Sequence, residues 1–157
     1  MSAQYGAVTQ TVAPNQPVIF IENVCPCNEG LVFKKSGGIL LLASNAPFDN
    51  SCNCGRRRLY LTNYEVEFHG NIEIPTGGTV EEIRLAIAID GIIDPDSIMA
   101  YTPAAVEVPG NVGTSIMVPV PSLCGCESVA VINASTQPID LLNGSIVFDY
   151  AGVTRIR

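Results

Sequence analysis

The chain has 157 residues, 47% of them hydrophobic and 15% charged, with 15 acidic against 8 basic side chains and a net charge of -7. That length suits one domain with a proper core, and that apolar content excludes a disordered chain. The acidic balance argues against nucleic acid or anionic lipid as the main partner, and no apolar run approaches the length of a membrane-spanning helix.

Residues 1–16 open with Met1-Ser2-Ala3-Gln4 and continue as a polar Ala/Thr/Gln segment. With neither a basic n-region nor an apolar h-region this is not a secretory signal, so synthesis in a cytoplasm is expected. Tyr5, Val8 and Val12 are spaced along what reads as an extended N-terminal arm, pinned against a neighbouring copy. A single domain over residues 17–157 follows.

Residues 17–22 (Pro-Val-Ile-Phe-Ile-Glu) predict the first firm strand, and residues 31–35 with 39–44 predict a hairpin turned at Ser36-Gly37-Gly38. Ile39, Leu40, Leu41 and Leu42 are apolar on both faces. They are expected to be covered twice, by the core and by a second layer or subunit. Residues 46–56, with Pro47, Asn50 and Gly55, read as a loop.

Between residues 64 and 90 the alternation is clearest. Tyr64, Val66, Phe68, Ile72 and Ile74 alternate with Glu65, Glu67, His69, Asn71 and Glu73, which is strand period. After Pro75-Thr76-Gly77-Gly78-Thr79 the pattern resumes with Ile83, Leu85, Ile87 and Ile89. A turn at Gly77-Gly78 predicts a hairpin that sets Ile72 against Ile83, Phe68 against Ile87 and Val66 against Ile89, at the cost of Glu73 facing Glu82.

Asp90-Gly91 marks another turn. Residues 98–108 read as extended, with Pro103 at a bulge or edge, and residues 115–120 as an edge strand carrying Pro119. Residues 128–133, 139–142 and 145–150 complete the set, separated at residues 135–138 and at Asn143-Gly144. About ten short strands, with 14 glycines and 11 prolines among the turns, predict an all-β fold, a jelly-roll β-sandwich.

All six cysteines fall in Cys-X-Cys pairs: Cys25 and Cys27, Cys52 and Cys54, Cys124 and Cys126. A bridge within a pair closes a strained ring, so disulfides between pairs are expected if the thiols oxidise, and the sequence leaves their connectivity open. A thiolate zinc site is the competing reading. It ranks lower, because such sites favour Cys-X2-Cys spacing and His69 is the only histidine.

His69 shares its strand face with Glu65, Glu67 and Glu73, a pattern that suits a base steered by a carboxylate or simply a solvated or subunit-facing surface. The second reading is preferred, since no nucleophile is tied to this face by sequence. Asp90, Asp94 and Asp96 read as turn residues and not as a calcium loop, and Arg56-Arg57-Arg58 reads as a solvated run. Asn133-Ala134-Ser135 and Asn143-Gly144-Ser145 match the glycosylation pattern but carry little weight without a signal. No catalytic residue, cofactor or metal is expected.

At Thr76-Gly77-Gly78-Thr79, Thr102-Pro103-Ala104-Ala105-Val106-Glu107, and Ala134-Ser135-Thr136-Gln137-Pro138-Ile139 running on to Asn143-Gly144-Ser145-Ile146-Val147, the chain resembles a family. These are small phage-encoded proteins that look like tumour-necrosis-factor (TNF) or C1q heads. The similarity spans roughly residues 14–150 and rests on turns and strand ends. It implies a non-enzymatic homotrimeric jelly roll, a virion component such as a capsid decoration or head fibre. It further implies the major capsid protein as a partner and the virion surface as the final location. The chain is also similar in size and cysteine content to jelly-roll subunits of disulfide-linked cell-surface or spore fibres, whose arms carry cysteines that residues 1–24 here lack. A carbohydrate-binding module ranks below both, because the chain has no tryptophan and only one histidine.

Overall fold

The computed structural model describes residues 2–22, 32–35, 38–43, 60–121 and 126–155. Among these residues the chain forms β1 (Ser2–Ala7), β2 (Gln10–Val12), β3 (Phe20–Glu22), β4 (Val32–Lys35), β5 (Gly38–Leu42), β6 (Tyr60–Glu73), β7 (Ile83–Ile89), β8 (Ile92–Ile93), β9 (Met99–Tyr101), β10 (Gly110–Pro121), β11 (Cys126–Asn133) and β12 (Ile139–Arg155). The only helical piece among them is a 3-10 turn at Pro95–Ser97. The strands make two six-stranded sheets. The first runs β10-β6-β12-β1-β3 with β2 also on β12, and the second runs β4-β5-β11-β7-β8 with β9 also on β7.

The period-two pattern puts one face of each sheet into a shared core. Tyr64, Val66, Phe68 and Ile72 of β6 and Ile146 and Phe148 of β12 meet Ile83, Leu85 and Ile87 of β7, Val129 and Val131 of β11, and Ile39 and Leu41 of β5, all buried. Each such side chain contributes about 1.5–3 kcal/mol relative to exposure. Phe20 packs edge-to-face on Phe68 and Tyr5 on Phe148, with ring centroids 6.2 and 6.1 Å apart. Tyr64 crosses the core and donates from its hydroxyl to the Leu42 carbonyl, joining the sheets. Burial, aided by the nearby Tyr150, pushes its phenol above the ordinary range.

The hairpin expected over residues 64–90 does not form. β6 pairs with β10 and β12, whereas β7 pairs with β8, β9 and β11 in the other sheet. The turn itself exists, with the Gly78 amide donating to the Pro75 carbonyl at 3.0 Å and Gly77 at φ 85°. It carries the chain from one sheet to the other, so the two apolar faces meet across the core and not side by side. A 14-residue strand finds more complete backbone pairing with β10 and β12, of 12 and 17 residues, than with the seven-residue β7. The expected pairing of Glu73 with Glu82 goes with the hairpin, although Glu73 gains another acidic neighbour. Glu73 stands beside Asp140, and Glu82 forms an ion pair with Arg84.

Asn143-Gly144 is likewise no turn. It lies inside the continuous β12, where the register against β6 shifts between Leu141 and Asn143, a bulge that absorbs the extra residue. The expected strand over residues 98–108 shortens to β9, and that over residues 17–22 shortens to β3, with Pro17 bridging Ile132.

Other expectations hold. β4 and β5 pair antiparallel with Lys35 opposite Gly38, and β10 is an edge of its sheet. Asp90 (φ 50°) and Gly91 (φ 82°) take the left-handed conformations of a two-residue hairpin between β7 and β8. The opening residues are extended, but instead of an arm pinned against a neighbouring copy they form strands of their own chain's first sheet, β1 between β12 and β3 and β2 on β12. Asn15 and Val18 then donate to the Asn133 and Val131 carbonyls of β11, so residues 2–22 engage both sheets.

Candidate functional site

The outward face of the first sheet holds the residues that the sequence marks as chemically interesting. Because β6 points Tyr64, Val66, Phe68 and Ile72 inward, Glu65, Glu67, His69, Asn71 and Glu73 share the opposite face. Register extends that face across neighbouring strands. His69 is flanked by Ser145 of β12 and Gly113 of β10, and beyond Ser145 come Gly6 of β1 and Ile21 of β3. Asn71 is flanked by Asn143 and Asn111.

A serine, a histidine and a glutamate thus share one face, which invites comparison with a hydrolytic triad. The geometry does not support one. His69 Nε2 is 2.6 Å from Glu67 Oε1, and its Nδ1 lies against Gly113, where an added Cβ would sit 2.5 Å away. Neither ring nitrogen addresses Ser145, whose Oγ accepts from the Gln4 carboxamide at 2.9 Å. The His69 side chain is 65% exposed, so the ion pair with Glu67 contributes little to stability. Ser145 was invisible as a neighbour of His69, because cross-strand register leaves no trace in sequence spacing.

Between these two rows the backbone of Gly70, Val112 and Gly144 floors an open trough of about 450 Å³, walled by His69, Ser145, Asn71, Asn111 and Asn143. The Asn71 amide donates to Asn143 Oδ1 at 3.2 Å.

A second pair of acidic groups lies at one end of the second sheet. Asp90 exchanges backbone and side-chain bonds with Ser128, its Oδ1 accepting from the Ser128 amide at 2.7 Å and its own amide donating to the Ser128 carbonyl. A hydrogen bond from the Glu127 carboxyl, with help from the Ser128 amide, holds Asp90 below its ordinary value. Burial, then the hydrogen bond and charge of Asp90, push Glu127 up to about 7. Of the other turn aspartates, Asp94 accepts from the Asp96 amide and caps the 3-10 turn. Among the described residues no three His, Cys, Asp or Glu side chains cluster as metal ligands do.

The residues expected at a subunit interface divide sharply. Tyr5, Val12, Ile39 and Leu41 are buried in this chain's own core, Leu40 and Leu42 are half-buried on the outward side of β5, and Val8 is 52% exposed. Sequence reading missed Ile19 and Ile21, exposed at 66% and 46% beside Val8 along the β3 edge. The Gln10 side chain fastens this patch, donating to the Val8 and Ile19 carbonyls while accepting from the Ile19 amide. The signal was available, since Ile19 and Ile21 alternate with the buried Val18 and Phe20. Of the cysteines, only Cys126 falls among the described residues, half-buried at the start of β11. Cys25, Cys27, Cys52, Cys54 and Cys124 lie outside them, and with them the expected disulfides between pairs.

No protein-family model matches the sequence, and no curated protein does. The likeness is to solved structures. A structure of Eiger TNF from S. frugiperda superposes with a TM-score of 0.61 at 9% identity, covering 97% of this chain and 93% of that one. The globular domain of zebrafish complement 1qA protein gives 0.60 at 12% identity, covering 99% of this chain and 98% of that one. Two antiparallel sheets in this order, matched over nearly the whole chain, are the TNF/C1q-like jelly roll.

Proposed function

We propose that the protein is a non-enzymatic structural subunit that assembles with copies of itself into a homotrimer and decorates a phage capsid. The observation that carries the assembly is the aliphatic patch of Val8, Ile19 and Ile21 on the β3 edge, three exposed side chains gathered in one place, whereas other exposed apolar residues such as Val80, Ile92 and Met117 belong to other strands and turns. A second strip, Leu40 and Leu42, lies on the outward side of the other sheet. Two unlike patches suit a head-to-tail contact, which closes into a ring when the rotation allows. The virion assignment, with the major capsid protein as partner and the particle surface as destination, is supported by the resemblance to phage-encoded trimeric jelly rolls and by the fold. The fibre reading takes second place, because residues Ser2–Ala7 already fill a strand position in their own sheet and would have to leave it to dock elsewhere.

Size exclusion with light scattering tests the assembly. The expected result is three chain masses for the wild type, and a smaller species with unchanged far-UV circular dichroism for the Ile19→Asp, Ile21→Asp double variant. A wild-type monomer at micromolar concentration overturns it. Mass spectrometry of purified phage particles tests the virion role separately, and absence of the chain from particles removes that role.

A further inference from the structure

The trough on the first sheet has walls of one chemical kind. Asn71, Asn111 and Asn143 stand side by side on β6, β10 and β12, facing His69 and Ser145 across the exposed backbone of Gly70, Val112 and Gly144. Among the described residues, the Asn71 to Asn143 bond leaves Asn71 Oδ1 and Asn143 Nδ2 available, and Asn111 keeps both its donor and its acceptor. The asparagine row thus offers hydrogen bonds in both senses and Ser145 keeps its hydroxyl proton, whereas His69, engaged by Glu67 and packed on Gly113, shapes the opposite wall.

Among the described residues, no lysine, arginine, phenylalanine, tyrosine or tryptophan lines the trough. Glu67, bound to His69, and Glu65 and Glu73 on the same strand give the surroundings a negative potential. An anion is therefore repelled. Neighbouring hydroxyl groups, each a donor and an acceptor, match adjacent carboxamides well, because one amide bonds two hydroxyls at once.

We propose that this trough is a binding site for an uncharged, hydroxyl-rich saccharide, held by Asn71, Asn111 and Asn143 with Ser145 and His69 opposite. Without a stacking ring a single site is weak, and several copies on one assembly raise the overall affinity through multivalency. The lining residues all come from one chain, so binding itself does not need the proposed assembly, whereas the multivalent gain rests on it.

The test is a titration of the isotope-labelled full chain with glucose, galactose, N-acetylglucosamine and lactose, read by backbone and side-chain amide shifts in NMR spectra. The expected result is saturable shifts at Asn71, Asn111, Asn143 and Ser145 with at least one of these sugars. Asn111→Leu, on the exposed edge strand, is expected to weaken binding about tenfold, as the loss of a two-point hydrogen bond does, with the rest of the spectrum unchanged. Asn71→Ser serves as a second, smaller change that keeps the strand polar and is expected to weaken binding to a lesser degree. Absence of shifts with all four sugars overturns the proposal, as do shifts that map elsewhere or binding that Asn111→Leu leaves intact. Shifts at these residues that follow protein dilution and not sugar also overturn it, identifying the trough as a contact between copies.

Discussion

β6 and β7 have the same alternating pattern and opposite surroundings. On β6 the set turned away from the core is Glu65, Glu67, His69, Asn71 and Glu73, all exposed or half-buried. On β7 the corresponding set includes Ala86 and Ala88, both with no exposed surface. β6 therefore has one dry face and one wet one, while the middle of β7 is closed on both sides. The lesson is that the two strands tolerate change differently at positions that look equivalent.

Four measurements bear on that difference. The largest effect belongs to the inward set of β6, where Phe68→Ala removes a fully buried ring and is expected to cost about 3–5 kcal/mol by urea denaturation. Its neighbour His69→Ala is expected to stay within about 0.5 kcal/mol, as exposed substitutions do. Next, Ala88→Leu overfills a sealed position and is expected to cost about 1–3 kcal/mol, whereas Glu67→Leu on the wet face leaves the denaturation midpoint nearly unchanged. Equal costs at Ala88 and Glu67 would abolish the comparison.

A smaller loss is expected at the seam beside β7. The hydroxyl of Ser97 accepts from the Ile87 amide at 2.8 Å and donates to the Asp94 carbonyl at 2.7 Å, filling the gap between β8 and β9. Ser97→Ala leaves that buried amide unsatisfied and is expected to cost about 1–2 kcal/mol, with faster exchange of the Ile87 amide proton.

The smallest effect concerns pH. Glu127 titrates near 7 when folded against an ordinary 4.5, so between those values the folded chain holds a proton that the unfolded chain has released. Its contribution is therefore present below 4.5 and is lost as pH rises through 7. Asp90 runs the other way, adding stability above its ordinary 3.8 that is lost as pH falls through its depressed folded value. Glu127 is only half-buried, so solvent screening keeps its share under about 1 kcal/mol. Denaturation midpoints at pH 5 and 8 are expected to differ less for Glu127→Gln than for the wild type.

The inward residues were legible from sequence almost one by one, because alternation records which side of a strand is dry. Partners were not. Phe68 and Ile87 were both placed inside correctly, yet they face each other's sheets from opposite sides of the core, since period two is indifferent to whether two apolar faces lie edge to edge or stacked. Asn143-Gly144 misled for a related reason. The pair that most strongly signals a turn also tolerates a bulge, and only the length of β6 opposite it decides between them. Of the site, His69 and its acidic strand-mates could be read directly. Ser145, Asn111 and Gly113 arrive from strands tens of residues away, and the β3 patch lies next to a strand whose reading stopped at its core side.

β12 holds β1, β2 and β6 at once, and pairs such as Ser2 with Asp149 join residues from opposite ends of the sequence. On a ribosome, where the chain emerges in order, β6 can pair with β10 once residue 121 is made, but its other edge stays open until β12 follows, and β1, β2 and β3 have no place in the first sheet before then. Completion of the first sheet is therefore late, with one backbone edge of a 14-residue strand unpaired until then.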